Sequence, residues 1–413
     1  MALFVFGTDS IGSGIRANLG STSGSVYVAK GVNVASTDNY RTIYGTGSQH
    51  TVENHGNIFA IGICIDLVDY GSPTQFGNRV INGEGALVRA YGGIDAVAAR
   101  VYGYKGRVDN DGQIVSDNYA LIIGGSNAST QSVVNNAGRI VGDNYGITRF
   151  GATTEKLVIN NTGLIQGGLA SFDSSAEVAP DIIYNKGRMA GDVLLGGGDD
   201  TYDGRTGRVD GKVLGGAGKD TLLGGSGAET LDGGAGNDTI KGGGGNDKLL
   251  GGADDDTISG GDGNDRIEGG TGKDTLSGEA GKDTILGGDG DDTLTGGAGA
   301  DRLTGGAGKD MFVFKSTADS TVAASGRDTI TDFSRAQGDK IDLHAIDAST
   351  KAKGNQDFDF IGTQKFHKVA GELRYEKKGG DTFVHGDVNG DGKADFSILI
   401  DASLTLKAGD FIL

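Results

Sequence analysis

Between residues 215 and 313 a carboxylate recurs every nine residues: Asp220, Glu229, Asp238, Asp247, Asp256, Asp265, Asp274, Asp283, Asp292, Asp301 and Asp310. Each closes a Gly-rich run, as in GGAGKDTLL from Gly215 and GGDGNDRIE from Gly260. Two residues further on there is always an apolar side chain: Leu222, Leu231, Ile240, Leu249, Ile258, Ile267, Leu276, Ile285, Leu294, Leu303 or Phe312. Carboxylates stacked at a fixed interval repel one another unless a cation sits between them. A flexible, anionic cage built only of oxygen, from carboxylates and Gly carbonyls, suits Ca²⁺ rather than Mg²⁺ or zinc.

The period says which elements position these groups. A nonapeptide holds a loop of about six residues and a strand of about three, and only the middle strand residue points inward because side chains alternate along a strand. One apolar residue per unit is therefore the whole core. The Gly-rich loop loses the most chain entropy on ordering and does not hold its own shape. The segment is expected to be disordered without Ca²⁺ and to fold on binding it.

Eleven units of the form GGxGxDxUx, with U apolar, resemble the RTX (repeats in toxin) family of hemolysin-type calcium-binding repeats. The resemblance implies a right-handed parallel β-roll with about eighteen residues per coil and a Ca²⁺ shared between neighbouring turns, about nine ions at most. It assigns the metal ligands to Asp220, Asp238, Asp247, Asp256, Asp265, Asp274, Asp283, Asp292, Asp301 and Asp310. Three departures, Glu229 for Asp, Asp254 for Gly and Glu279 for Gly, mark weaker sites.

A looser repeat precedes the nonapeptides. Its copies are VENHGNI at Val52, VINGEGAL at Val80, VDNDGQI at Val108, VVNNAGRI at Val133, VINNTGLI at Val158 and IIYNKGRM at Ile182, closed by Ile58, Leu87, Ile114, Ile140, Ile165 and Met189. Asn-x-Gly is turn chemistry, flanked here by β-branched strand formers. Its spacing of about 25 residues is that of one coil of a three-faced parallel β-helix, in which the Asn side chains stack as a ladder. The stretch resembles the β-helical passengers of bacterial adhesins and, more distantly, the pectate-lyase-like helices.

The expected organisation is all-β: an N-terminal cap and first coil over residues 1–50, a parallel β-helix over 51–195, the nonapeptide β-roll over 196–313 and a β-rich capping domain over 314–413. GGGDDTYDG at Gly196 reads as a shortened unit that lets the two helices run on as one stack. The last region resembles the C-terminal domain of serralysin-type secreted proteases. Such a cap is needed physically, since the end of a β-roll otherwise exposes its apolar ladder and unpaired strand groups. Its final residues, Asp410, Phe411, Ile412 and Leu413, resemble the uncleaved export signal of type I secretion. In DVNGDGKAD, Asp387, Asn389, Asp391 and Asp395 have EF-hand spacing, but Ile398 stands where that loop has its bidentate Glu.

Composition narrows the function. The net charge is −18, and residues 215–313 alone hold 19 acidic and 8 basic side chains, so nucleic acid and anionic membranes are not expected partners. MALFVFGTDS lacks the basic start of a Sec signal peptide, and no apolar run reaches the roughly 18 residues of a membrane span. The protein is expected outside the cell, without an N-terminal signal peptide, its partners being calcium, a type I secretion machinery and an extracellular polysaccharide or surface. The single Cys64 reads as a buried core residue. None of His50, His55, His344, His367 and His385 lies in HExxH, which argues against a zinc protease. The alternative is a β-helical polysaccharide-modifying enzyme, a uronan epimerase or lyase carrying RTX modules. Its only cluster of suitable residue types is Asp66, Asp69, Tyr70, Asp95, Arg100, Tyr102 and Arg107. These read better as solvated loop residues than as a catalytic set, so no catalytic residue is assigned.

Overall fold

The computed structural model describes residues 2–12, 17–21, 23–37, 41–47, 49–68, 77–102, 105–124, 131–151 and 155–413. Among them every regular element is a β-strand apart from three short 3-10 helices, and the fold is all-β. No helix of the described residues is long and apolar enough to cross a membrane. The chain divides into two compact units, Met1–Gly225 and Ser226–Leu413.

The first unit is a parallel β-helix. Its inward ladder runs Val26, Val52, Val80, Val108, Val134, Ile159, Ile183, Tyr202 and Leu222, each paired in register with the next. A second inward ladder runs Val34, Ile58, Val88, Ile114, Ile140, Ile165, Met189 and Val209. Coils shorten from 28 residues between Val52 and Val80 to 19 between Ile183 and Tyr202. The second ladder corrects one expected closer. Val88, not Leu87, is fully buried, because Glu84 and Gly85 lengthen that turn and a one-residue slip moves a side chain to the other face.

Asn-x-Gly forms the corner between the two ladders. Asn54 Nδ2 donates to Asn82 Oδ1 at 2.8 Å, and the same bond links Asn82 to Asn110, Asn110 to Asn136, Asn136 to Asn161 and Asn161 to Asn185 at 2.7–2.8 Å. Each amide also donates to a backbone carbonyl beyond the next turn, for example Asn82 to Gln113 O at 3.1 Å. All six Asn are buried. An amide carries both donors and acceptors, so a stack of them satisfies itself.

The second unit holds the β-roll. Strands eighteen residues apart pair in parallel, aligning Leu231 with Leu249, Ile267, Ile285 and Leu303 on one face. Ile240 aligns with Ile258, Leu276, Leu294 and Phe312 on the other. The coils continue past the nonapeptides: Leu303 pairs Ile330 and then Ile400, while Phe312 pairs Ile341 and then Phe411. Strands Glu372–Lys378, Asp381–Asp387 and Phe396–Ile400 form an antiparallel meander closing this end. The strand Phe411–Ile412 thus adds a rung to one face, in parallel with Lys340–Asp342.

Candidate metal centre

The strand pairing gathers the repeat carboxylates of the second unit into two columns, one per edge. One runs Glu229, Asp247, Asp265, Asp283 and Asp301; the other runs Asp238, Asp256, Asp274, Asp292 and Asp310. In every step Oδ1 of one Asp accepts the backbone N–H of the residue one coil earlier, as in Asp247 N to Asp265 Oδ1 and Asp256 N to Asp274 Oδ1, both 2.8 Å. The side chains are buried, each no more than 3% exposed from Asp238 to Asp310. The second oxygen is left over. Oδ2 of Asp247, Asp256, Asp265, Asp274, Asp283, Asp292, Asp301 and Asp310 is buried and has no hydrogen-bond partner.

Those oxygens point at glycine. A Cβ placed on Gly242, Gly251, Gly260, Gly269, Gly278 or Gly287 would lie 2.2–2.3 Å from Oδ2 of the Asp five residues on. It would also lie 2.4–2.8 Å from the carbonyl oxygen of the residue one coil further, Gly260 O for Gly242 and Gly287 O for Gly269. Only glycine fits there, and the space it leaves is walled by a carboxylate and a carbonyl. No group of three or more His, Cys, Asp or Glu gathers among the described residues. The donor set is therefore mixed backbone and carboxylate oxygen, the chemistry of a hard, flexible cation such as Ca²⁺ and not of zinc.

Electrostatics points the same way. Burial pushes Asp256, Asp283 and Asp292 up to about 7, and Asp247, Asp301 and Asp310 up to about 6, despite the N–H bond each accepts. Neighbours in the column add repulsion, Asp238 and Asp274 at Asp256 and Asp274 and Asp310 at Asp292. Carboxylates in this position hold their charge only beside a cation. The two non-Gly departures stand at left-handed backbone, Asp254 at φ 77° and Glu279 at φ 74°, where the repeat has glycine.

Carboxylates beyond the assigned ligands extend the pattern at both ends. Asp328 Oδ1 accepts from Asp301 N at 2.9 Å and Asp339 Oδ1 from Asp310 N at 3.2 Å, so both columns run into the capping region. Asp328 is fully buried, its Oδ2 is unpartnered, and burial followed by the charge of Asp301 pushes it up to about 9. The signal was present as Asp-Thr-Ile at Asp328 and Asp-Lys-Ile at Asp339, the Asp-x-apolar triplet of the repeat without its opening Gly-Gly pair. In the first unit, Asp181 N donates to Asp200 Oδ1 at 2.6 Å and Asp200 N to Asp220 Oδ1 at 2.8 Å. That column starts against a side-chain cation: Arg149, only 4% exposed, donates through Nη1 to Asp181 Oδ1 and to Ala179 O.

The other sequence candidates do not assemble. Asp66 is buried between Arg100, at 2.6 Å, and Arg41. Arg100 and Tyr102 share a cleft with Val68, Ile122 and Phe150, but Arg107 lies on the strand Arg107–Asn110 and pairs with Asp109 of that same strand, and Asp95 sits exposed in the turn Gly93–Asp95. Asp69 and Tyr70 lie outside the described residues. In the EF-hand-like loop, Asp387 accepts from Gly390 N and Gly392 N, at 2.6 and 2.8 Å, and Asp395 accepts from Val388 N, Asn389 N and Asn389 Nδ2. Cys64 is buried, its Sγ donates to Arg89 O at 3.0 Å, and burial pushes the thiol up.

Comparison with known proteins matches the RTX calcium-binding nonapeptide repeat (4 copies) in overlapping stretches, 212–240, 223–258, 241–276, 250–285, 259–294 and 277–312. Residues 212–312 are RTX calcium-binding nonapeptide repeats. Among solved structures the chain is similar to the AlgE6R2 subunit of the Azotobacter vinelandii mannuronan C5-epimerase, at 29% identity over 38% of this chain and 91% of that one, with a TM-score of 0.28. It is also similar to the AlgE6R3 subunit, at 26% identity over 38% of this chain and 78% of that one, with a TM-score of 0.21. No curated protein matches the sequence.

Proposed function

We propose that the chain is a secreted, calcium-binding β-helix and β-roll protein with a binding, matrix or surface-adhesion role, and that its RTX repeats fold on Ca²⁺ after type I secretion. The ligands are the Asp side chains from Asp220 to Asp310 at the sixth repeat position, with Gly carbonyls completing each site, for about nine ions at most. The observation that carries this reading is the buried, unpartnered Oδ2 in eight consecutive coil edges from Asp247 to Asp310. Bound calcium would supply the positive charge and the oxygen coordination that tie neighbouring coils together. Without it these Asp residues repel along each column, and one Leu or Ile per nonapeptide, worth about 1.5–3 kcal/mol, does not offset backbone ordering at about 1–2 kcal/mol per residue. Cytosolic Ca²⁺ is far below the roughly 10⁻⁴ to 10⁻³ M of extracellular modules, so the roll stays open until it is outside.

The region from 314 is the cap, similar to that of serralysin-type proteases, and Asp410 to Leu413 is the export signal. In the folded chain Asp410 accepts from Arg335 Nε and from Lys407 N, at 2.8 and 2.7 Å, so its export role belongs to the unfolded chain. Circular dichroism during Ca²⁺ titration tests the ligands: changing Asp265, Asp274 and Asp283 to Asn should raise the folding midpoint about tenfold or more. An unmoved midpoint refutes the assignment. Deleting residues 410–413 should abolish export, whereas Arg335→Ala, which breaks the same folded contact, should leave it intact. Export of the truncated chain refutes the signal.

A further inference from the structure

The coil shortens from 24 residues, Ile159 to Ile183, to 19, Ile183 to Tyr202, and on the outside of the β-helix at this step lies a cleft of about 560 Å³. Its walls come from three successive coils and include Asn160, Thr162, Tyr184, Lys186, Asp203 and Arg205. Asp109, Asn135, Asn160, Tyr184 and Asp203 occupy one outward register row. As far as Asn160 the row satisfies itself: Asn160 Nδ2 donates to Asn135 Oδ1 and Asn135 Nδ2 to Asp109 Oδ1, both 2.8 Å. At Tyr184 that pattern stops, and an aromatic ring stands 42% exposed. Arg205 is held in place by Asp203, which takes Nε and Nη2 at 2.9 and 2.8 Å. Its side chain is 66% exposed and faces solvent beyond that pair.

We propose that this cleft binds a linear acidic glycan, one uronate ring lying on Tyr184 with its carboxylate between Lys186 and Arg205. The inference rests on the binding role proposed above. A flat ring with a hydroxyl suits a pyranose face, amide and Thr hydroxyl groups suit sugar hydroxyls, and a guanidinium fork beside an ammonium suits a carboxylate. Neighbouring coils stand about 4.8 Å apart, so the polar row meets an extended polymer running along the helix axis. The chain's acidity does not oppose this. Residues 1–225 carry 17 basic and 21 acidic side chains, whereas 226–413 carry 20 and 34, so most of the negative charge lies in the other unit. A single-stranded nucleic acid fits less well, because a single aromatic plate offers no run of stacking sites for bases.

Calorimetric titration of the full, Ca²⁺-loaded chain with uronate oligomers, neutral oligomers of the same linkage and a sulfated glycan tests the assignment. The uronate should bind, and the neutral oligomer about tenfold or more weaker. Lys186→Ala with Arg205→Ala should cost about tenfold or more, Tyr184→Ala several-fold and Tyr184→Phe little, all without a change in melting temperature. A sulfated glycan binding as tightly through the same residues would widen the anion but keep the cleft. No binding of any acidic glycan, wild-type affinity in the double variant, or equal binding of single-stranded DNA through these residues overturns the proposal. Ca²⁺-dependent folding and binding elsewhere on the surface are read separately, so the cleft can fail while the broader function stands.

Discussion

The β-helix and the β-roll solve the same problem at their corners with side chains that differ by one group. Asn54 to Asn185 form a buried column in which each amide gives a proton to the next and takes one from the last. The repeat Asp residues form buried columns of the same kind, but a carboxylate only accepts. One oxygen is matched by the backbone N–H of the preceding coil and the other is not. An Asn column is therefore closed within the protein, whereas an Asp column needs positive charge from elsewhere. The Asp181 column shows an internal solution, Arg149, placed at its start. A guanidinium on a long stem serves one end of a column; a small ion can serve every coil.

Chelation should separate the regions most sharply. In chelator the nonapeptide strands should melt to coil while the Asn-cornered coils stay β, and limited proteolysis should leave a fragment ending between residues 185 and 225. Rapid digestion of the N-terminal half would break the comparison. Next in size, Asn136→Ala removes the acceptor of Asn110 and the donor to Asn161, at about 1–3 kcal/mol for stranded buried groups. The melting temperature of the β-helix should fall equally with and without Ca²⁺; a loss seen only in chelator would tie the ladder to the metal. Glu279→Gly should relieve a left-handed backbone worth about 1 kcal/mol or more and lower the Ca²⁺ midpoint of the roll a few-fold, with the β-helix melt unmoved.

The cap carries a pH effect of its own. Burial pushes His385 down to about 4 from 6.5, in spite of Glu376 nearby. The unfolded chain then takes up the proton first, so stability is complete above pH 6.5, falls as the pH drops towards about 4, and levels off below. Thermal melts of the Ca²⁺-loaded protein between pH 7 and 4 should show that slope, and His385→Phe should flatten it. An unchanged slope would place the acid sensitivity elsewhere.

Much of this was legible because repetition is a local property. The strand period, the apolar ladder and the Asn corner are each written once per coil, and the inward positions follow from alternation. Where a turn changed length the reading slipped, as at Leu87 and Val88. Asp328 and Asp339 escaped because the coils reaching them are 27 and 29 residues long, measured from Leu303 to Ile330 and from Phe312 to Ile341, and lack the Gly-Gly pair that opens each nonapeptide. Residues 387–395 carried ligand spacing, yet the loop's own N–H groups occupy both oxygens of Asp387 and Asp395.

By itself the sequence determined the all-β class, the nonapeptide core of one apolar side chain per unit and the carboxylate at every sixth repeat position. Those follow from side-chain period and from which residues tolerate a tight turn. Tertiary structure alone decided that Oδ1 would be satisfied and Oδ2 would not, that Arg149 would meet Asp181 across 32 residues, and that Phe411 would complete the ladder begun at Ile240. It also decided that Tyr184, Lys186 and Arg205 would share a cleft. Each of these is a contact between coils, set by how many residues every turn takes to come round, and no single repeat contains that count.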